Sequence, residues 1–177
     1  MNIFLKLKHW QLFVLQTVIP IVLEIIVIVI MAVSNNFSLM RVFFPFIMIL
    51  FMGTFFGWFY AMGKNLNKKL PDTVKMSLAK FQWFLIIPIV YMIFLVVFMP
   101  AINKSPNPIA FIYIIPAHLF SMFCIFYCLY FVAKSFKAVE LQRPVTFSDY
   151  AGEFFLLWFY PVGVWIIQPK VNKMFGD

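Results

Sequence analysis

The chain has 177 residues, 64% hydrophobic and only 11% charged, against roughly 45–50% and about 25% in ordinary soluble domains. This excludes a water-soluble globule and predicts an all-α polytopic transmembrane helix bundle, a single integral membrane domain over residues 1–177. The net charge of +8 does not indicate nucleic acid, because the basic residues sit in short segments flanking apolar runs, as topogenic charge does.

The first apolar run extends from Trp10 to Ser34 behind Lys6 and Lys8. It ends in Ala32-Val33-Ser34, which resembles a signal-peptidase site, but it far exceeds the ~7–15 residues of a signal core. A retained first span is therefore expected. Within it, VIPIVLEIIVIVIMA carries one carboxylate, Glu24. Helical spacing puts Gln16 or Thr17, Pro20 and Glu24 on one face, a polar stripe from the inner end to the middle of the span. Pro20 has no N–H and so frees the carbonyl of Gln16. A mid-bilayer acid costs about 2.5–3.5 kcal/mol on insertion scales, so the stripe should face protein and Glu24 should have a polar companion.

The second span is expected over Val42 to Gly63. Gly53, Gly57 and Ala61 form a small-xxx-small face that lets another helix approach closely. The following connection, Lys64 to Lys80, is the longest polar stretch and carries the interfacial basic residues Lys64, Lys68, Lys69, Lys75 and Lys80. Asp72 is placed to cap a short helix with Val74, Leu78 and Phe81 on one side, lying on the inner leaflet with its lysines near anionic headgroups of the lipid bilayer. The plainer alternative is a loop whose lysines only set topology.

The third and fourth spans are expected over Phe81 to Ala101 and Ile109 to Ala133. Ala117, Ser121, Cys124 and Cys128 make a second small face on the fourth, to pack with the first inside the monomer or at a dimer contact. Cys124 and Cys128, four residues apart on one helix, are not placed for a disulfide, and C-x-x-x-C is no structural zinc spacing, so no metal and no cofactor is expected. His118 lies ten residues after Pro108, and Glu24 ten before Ser34. Both are about 15 Å below the outer surface. If the first and fourth helices are neighbours, Glu24 and His118 form an intramembrane polar pair that either couples a proton or ion, or simply fixes helix register.

Shifting the sequence by 68 residues lays Val18–Met31 on Ile86–Met99 with matching Ile, Pro, Val and Met positions, which suggests a tandem hairpin repeat. With the N-terminus inside, only Arg41 and Lys104 face outward, leaving 12 of the 14 basic residues inside if the C-terminus also stays in. A fifth crossing would move Lys170 and Lys173 outward. Pro161 and Gly163 also interrupt the last apolar segment, about 148–167, after some 11 residues or roughly 16 Å, so an in-plane or re-entrant segment is expected. Thr146 or Ser148 can begin its helix, Glu153 reads as solvated or capping, and Gln168 to Lys173 reads as a proline stop with basic anchors.

The ending, from Phe147-Ser148-Asp149-Tyr150 through Trp158-Phe159-Tyr160-Pro161-Val162-Gly163-Val164-Trp165 to Gln168-Pro169-Lys170, resembles that of small, uncharacterised bacterial multi-pass membrane proteins. The resemblance covers about 25 residues and implies no activity, cofactor or site. Catalytic templates are missing from the sequence: there is no G-x-S-x-G, no H-E-x-x-H and no glycine-rich phosphate loop. The expectation is a non-enzymatic protein of a bacterial cytoplasmic membrane, a structural or accessory subunit that packs with its own copies or another membrane protein. The alternative is a proton- or ion-coupled transporter or channel using Glu24 and His118.

Overall fold

A computed structural model describes residues 3–104 and 108–176, with side chains described outside 99–111. Of the outer connection expected over Ile102 to Pro108, residues 105–107 and all the side chains fall outside the described residues, while the backbone is helical up to Lys104 and again from Pro108. The described elements are α1 (Ile3–Lys6), α2 (His9–Phe13), a π-helical turn (Val14–Val18), α3 (Ile19–Ser34), α4 (Ser38–Lys68), α5 (Leu78–Lys104), α6 (Pro108–Leu141), α7 (Phe147–Trp158) and α8 (Tyr160–Phe175). There is no strand among the described residues.

Four helical stretches are long and apolar enough to cross a membrane: His9–Ser34, Ser38–Lys68, Leu78–Phe98 and Ile112–Leu141. The expected four spans are these four. The stretch Ser38–Lys68 has 31 residues, about 46 Å of helix, longer than a ~30 Å hydrocarbon core requires. By contrast α7 has 12 residues and α8 has 16, roughly 18 and 24 Å, each short of a crossing.

The chain divides into two compact units, Met1–Met62 with Ala151–Asp177, and Gly63–Tyr150. In the first, α1 and α2 pack against α8. The chain breaks between α1 and α2 at Lys8, which has extended φ and ψ, and Gln11 Oε1 accepts the Lys8 backbone N–H at 2.8 Å. Asn35, in the left-handed region with φ 50°, ends α3. Asn36 Oδ1 then accepts from the Ser38 N–H and hydroxyl to start α4.

Next to α7, α8 folds back in an antiparallel hairpin. The turn is at Phe159, with φ −85° and ψ 53°. Phe159 donates its N–H to the Phe155 carbonyl, and its own carbonyl accepts from both Val162 and Gly163. Gly163 is required here: a Cβ on it would stand 1.7 Å from the Leu156 carbonyl oxygen. Pro161 lies in the first turn of α8, where its missing N–H costs nothing. The break expected at Pro161 and Gly163 therefore falls at Phe159, two residues before Pro161, while Pro161 and Gly163 shape the start of the second helix.

Tyr160 meets Thr17, Trp165 meets His9 and Phe13, and Gln168 meets Leu7, so α8 runs antiparallel along the first span from the π turn to α1. The expected proline stop does not occur, since α8 continues through Pro169 to Phe175. The interface with α1 and α2 holds the helix past the missing hydrogen bond.

In the second unit α5 and α6 pack as an antiparallel hairpin: Phe81 stacks on Phe131 and Phe84 on Tyr127, both at 4.5 Å, and Tyr91 faces His118 at 5.8 Å. Gly63 makes room for the Phe81 ring, whose carbons would lie 2.4 Å from an added Cβ. The short helix expected after Asp72 is not formed. Pro71–Val74 makes a turn closed by the Val74 N–H on the Pro71 carbonyl at 2.9 Å, and the chain stays irregular to Ser77. Pro71 forces Leu70 out of the helical region, and the few residues left before α5 are too few to repay helix nucleation. Beyond α6, Gln142 adopts φ 51° and ends the helix, and Thr146 caps α7 with the Asp149 carboxylate reaching back to its N–H at 2.8 Å.

Candidate functional site

The polar stripe of the first span is built by Pro20. A proline at this position cannot donate to Gln16, and its ring crowds that carbonyl. The helix widens into the π turn, where Ile19 N–H bonds the Val14 carbonyl, five residues back. Leu12, Gln16 and Pro20, at steps of four, are consequently all buried. Gln16 is 1% exposed. Its Nε2 donates to the Thr54 carbonyl on α4 at 2.9 Å, while its Oε1 is buried with no hydrogen-bond partner among the described residues. The Thr54 hydroxyl turns back to Leu50 and Phe51 of its own helix.

Thr17 and Tyr160 share a hydroxyl hydrogen bond of 2.7 Å, which fixes the tip of the α7–α8 hairpin against the π turn. The Tyr160 ring also meets Phe55 and Trp58 edge-on. Glu24 sits two turns further along α3 and is half-buried. Among the described residues of its own unit no hydrogen bond or ion pair reaches its carboxylate. From Ile21 to Val33 every residue of α3 is exposed except Glu24, Val27 and Met31. His118 belongs to the second unit, is exposed and faces Tyr91.

The small faces divide. Gly57 admits the Phe4 ring of α1, whose nearest carbon would be 2.7 Å from an added Cβ, whereas Gly53 is exposed with nothing within 4 Å. Ala61 is fully buried. On α6, Ser121, Cys124 and Cys128 are buried, and the Cys128 thiol points at the Phe81 carbonyl of α5 at 4.0 Å. Ala117 is exposed. Among the described residues no group of three His, Cys, Asp or Glu side chains is placed to hold a metal ion. Of the interfacial lysines, Lys64 is half-buried, and Lys68, Lys69, Lys75 and Lys80 are exposed.

Glu153 departs from its expected solvated or capping role. It is 6% exposed and pairs with Lys170 at 3.5 Å across the α7–α8 hairpin. The hairpin fold, absent from a linear reading, buries this residue.

Sequence reasoning also missed a polar hub at the base of the first unit. Gln168 Oε1 accepts the Trp58 indole N–H at 2.9 Å, and its Nε2 donates to the carbonyls of Phe4 at 3.0 Å and Leu7 at 2.7 Å. Asn172, one turn on, donates to Leu5 at 2.8 Å and Leu7 at 3.1 Å. These amides satisfy the end carbonyls of α1, a helix of only 4 residues. The signal was present: buried Tyr160, Val164, Ile167 and Val171 follow helical spacing across Pro169.

No protein-family model, curated protein or solved structure matches the chain.

Proposed function

We propose that the chain is a non-enzymatic accessory or structural subunit of a bacterial cytoplasmic membrane, working through helix contacts with its own copies or with another membrane protein. One observation carries the reading: α3 beyond Pro20 is largely unclad and holds Glu24 in mid-span without a hydrogen bond or ion pair from the described residues of its own unit. A carboxylate at that depth is tolerated when protein or trapped water covers it, so a surface bearing one is suited to an interface. The charge asymmetry of the connections supports an N-terminus and C-terminus on the cytoplasmic side.

The experiment is photo-crosslinking in the native membrane from a reactive residue placed at Ile25 or Val29. A crosslinked second copy or a defined partner, lost in Glu24→Leu, is the expected result. A bare monomer that crosslinks only to lipid defeats the reading.

A second reading, a proton- or ion-coupled transporter or channel using Glu24 and His118, is favoured by the buried Gln16 acceptor, the π turn and the Thr17–Tyr160 hydroxyls leading toward Glu24. Liposomes bearing the protein would then dissipate a pH gradient, and Glu24→Gln would abolish the flux. Flux equal to that of empty liposomes removes proton conduction.

A further inference from the structure

On the second unit a cavity of about 740 Å³ opens at the foot of α5 and α6, beneath the turn after α4. Its charged lining comprises Lys75, Lys80 and Lys134 against one acid, Asp72, and the phenols of Tyr127 and Tyr130 complete its polar wall. None of the three lysines makes an ion pair among the described residues. The Lys134 ammonium is held by the Tyr130 hydroxyl at 3.0 Å. The roof is anchored: Asn67 Nδ2 donates to the Met76 carbonyl at 3.0 Å, Ser135 donates to the Met76 sulfur at 3.4 Å, and the Pro71–Val74 turn closes on itself. A concave site with excess positive charge, one tethered lysine and phenol donors is suited to a phosphodiester.

The same two helices carry a second cavity, of about 720 Å³, lined by Trp83, Ile87, Val90, Phe94, Ala117 and Phe120 among others. Lys80, Trp83, Ile87, Val90 and Phe94 recur at steps of three and four, so the basic pocket and the apolar groove share one face of α5. On α6, Ala117, Phe120, Tyr127 and Lys134, at steps of three and seven, likewise share one face. Phe84, against Phe123 at 6.0 Å and Tyr127 at 4.5 Å, continues the aromatic surface between the cavities. From Trp83 to Phe94 the groove is about 16 Å long, one leaflet of a ~30 Å core.

We infer that this face of α5 and α6 binds an anionic phospholipid, with its phosphate among Lys75, Lys80, Lys134 and the two tyrosines and an acyl chain in the groove above. A free phosphate or soluble phosphorylated molecule shares the headgroup chemistry but has nothing to fill the groove, and a zwitterionic lipid carries its own cation against the lysines. The charge and the apolar continuation together select a lipid with net negative charge.

The test uses the full chain, delipidated and placed in phosphatidylcholine nanodiscs, with trace phosphatidylglycerol bearing a photoreactive acyl chain. Adducts should map to Trp83–Phe94 and Ala117–Phe120. Lys80→Gln with Lys134→Gln should reduce their yield about tenfold, Lys80→Arg with Lys134→Arg should restore it, and Lys68→Gln with Lys173→Gln should leave it unchanged. Unaltered thermal unfolding of the Gln pair separates a binding loss from misfolding, and a Gln pair that unfolds is replaced by its single variants. The inference is overturned if a phosphatidylcholine probe labels the same residues equally, if the Lys68 and Lys173 control falls as far, if adducts spread over all four spans, or if inorganic phosphate displaces the lipid probe.

Discussion

Trp58 and Gln168, 110 positions apart and both fully buried, are joined by an indole N–H to amide oxygen bond of 2.9 Å. The bond makes the C-terminal helix part of the first unit, because the other end of the same amide holds the backbone of α1. Gln168→Leu would remove the partner of the Trp58 indole N–H and of the Phe4 carbonyl, at about 1–3 kcal/mol for each group that stays dry, while the Leu7 carbonyl keeps the Asn172 amide. The expected outcome is a lower unfolding temperature in detergent together with new proteolysis near Lys6 and Lys8. Trp58→Phe should cost less, since it orphans only Gln168 Oε1.

Gly163 and Gly152 offer a matched pair. A Cβ at Gly163 would overlap the Leu156 carbonyl, a backbone atom that moves only if the hairpin opens, whereas Gly152 faces open space. Gly163→Ala should destabilise by about 1–3 kcal/mol as overpacking does. Gly152→Ala, in the exposed interior of α7, should stabilise by up to about 1 kcal/mol. Thermal unfolding of the two variants side by side reads the difference, and equal effects would mean the hairpin is not closed at Leu156.

Pro20 is the cause assigned to the π turn, and Pro20→Ala tests it. With an N–H restored at position 20, the Gln16 carbonyl can be bonded in the ordinary register and the turn should relax to α-helix. That rotates the chain before it by about 100°. Gln16 would leave the Thr54 carbonyl, and Thr17 would leave Tyr160. The check is the loss of Tyr160 protection, read as faster modification of its phenol, alongside unchanged modification of Tyr113 on α6 of the second unit.

The spans were legible because each is a run of about 20 apolar residues, a signal set by bilayer thickness and not by tertiary packing. Thr146 was legible as a cap because capping is local, the Asp149 carboxylate lying three residues on. What escaped depends on contacts far apart in sequence. Helix α1 is too short to form alone and is held by Gln168 and Asn172, more than 160 residues away. Pro169 reads as a stop in isolation, and only the packed interface overrides it. Glu153 looks solvated until the fold at Phe159 brings Lys170 to it. Gln16 and Thr17 bond Thr54 and Tyr160, partners that helical spacing alone does not reveal.

Asp149 supplies a pH-dependent element at the start of α7. The Arg143 guanidinium bonds its carboxylate at 2.9 Å, the Thr146 N–H and hydroxyl add two more donors, and together they hold the carboxyl at about 2, well below the ordinary range. The folded form therefore binds this proton less readily than the unfolded chain, whose carboxyl titrates near 3.9. The cap's contribution is complete above about pH 4, declines below it, and is gone once the pH has fallen through about 2. Side-chain carboxyl shifts followed by NMR in micelles should show a single group titrating near that low value. Arg143→Gln should return it toward the ordinary range, more than added salt does, because directed hydrogen bonds and not long-range attraction hold it down. In Asp149→Asn the stability of α7 should no longer vary between pH 4 and 2, and a residual dependence of the same size would assign the effect to another carboxylate.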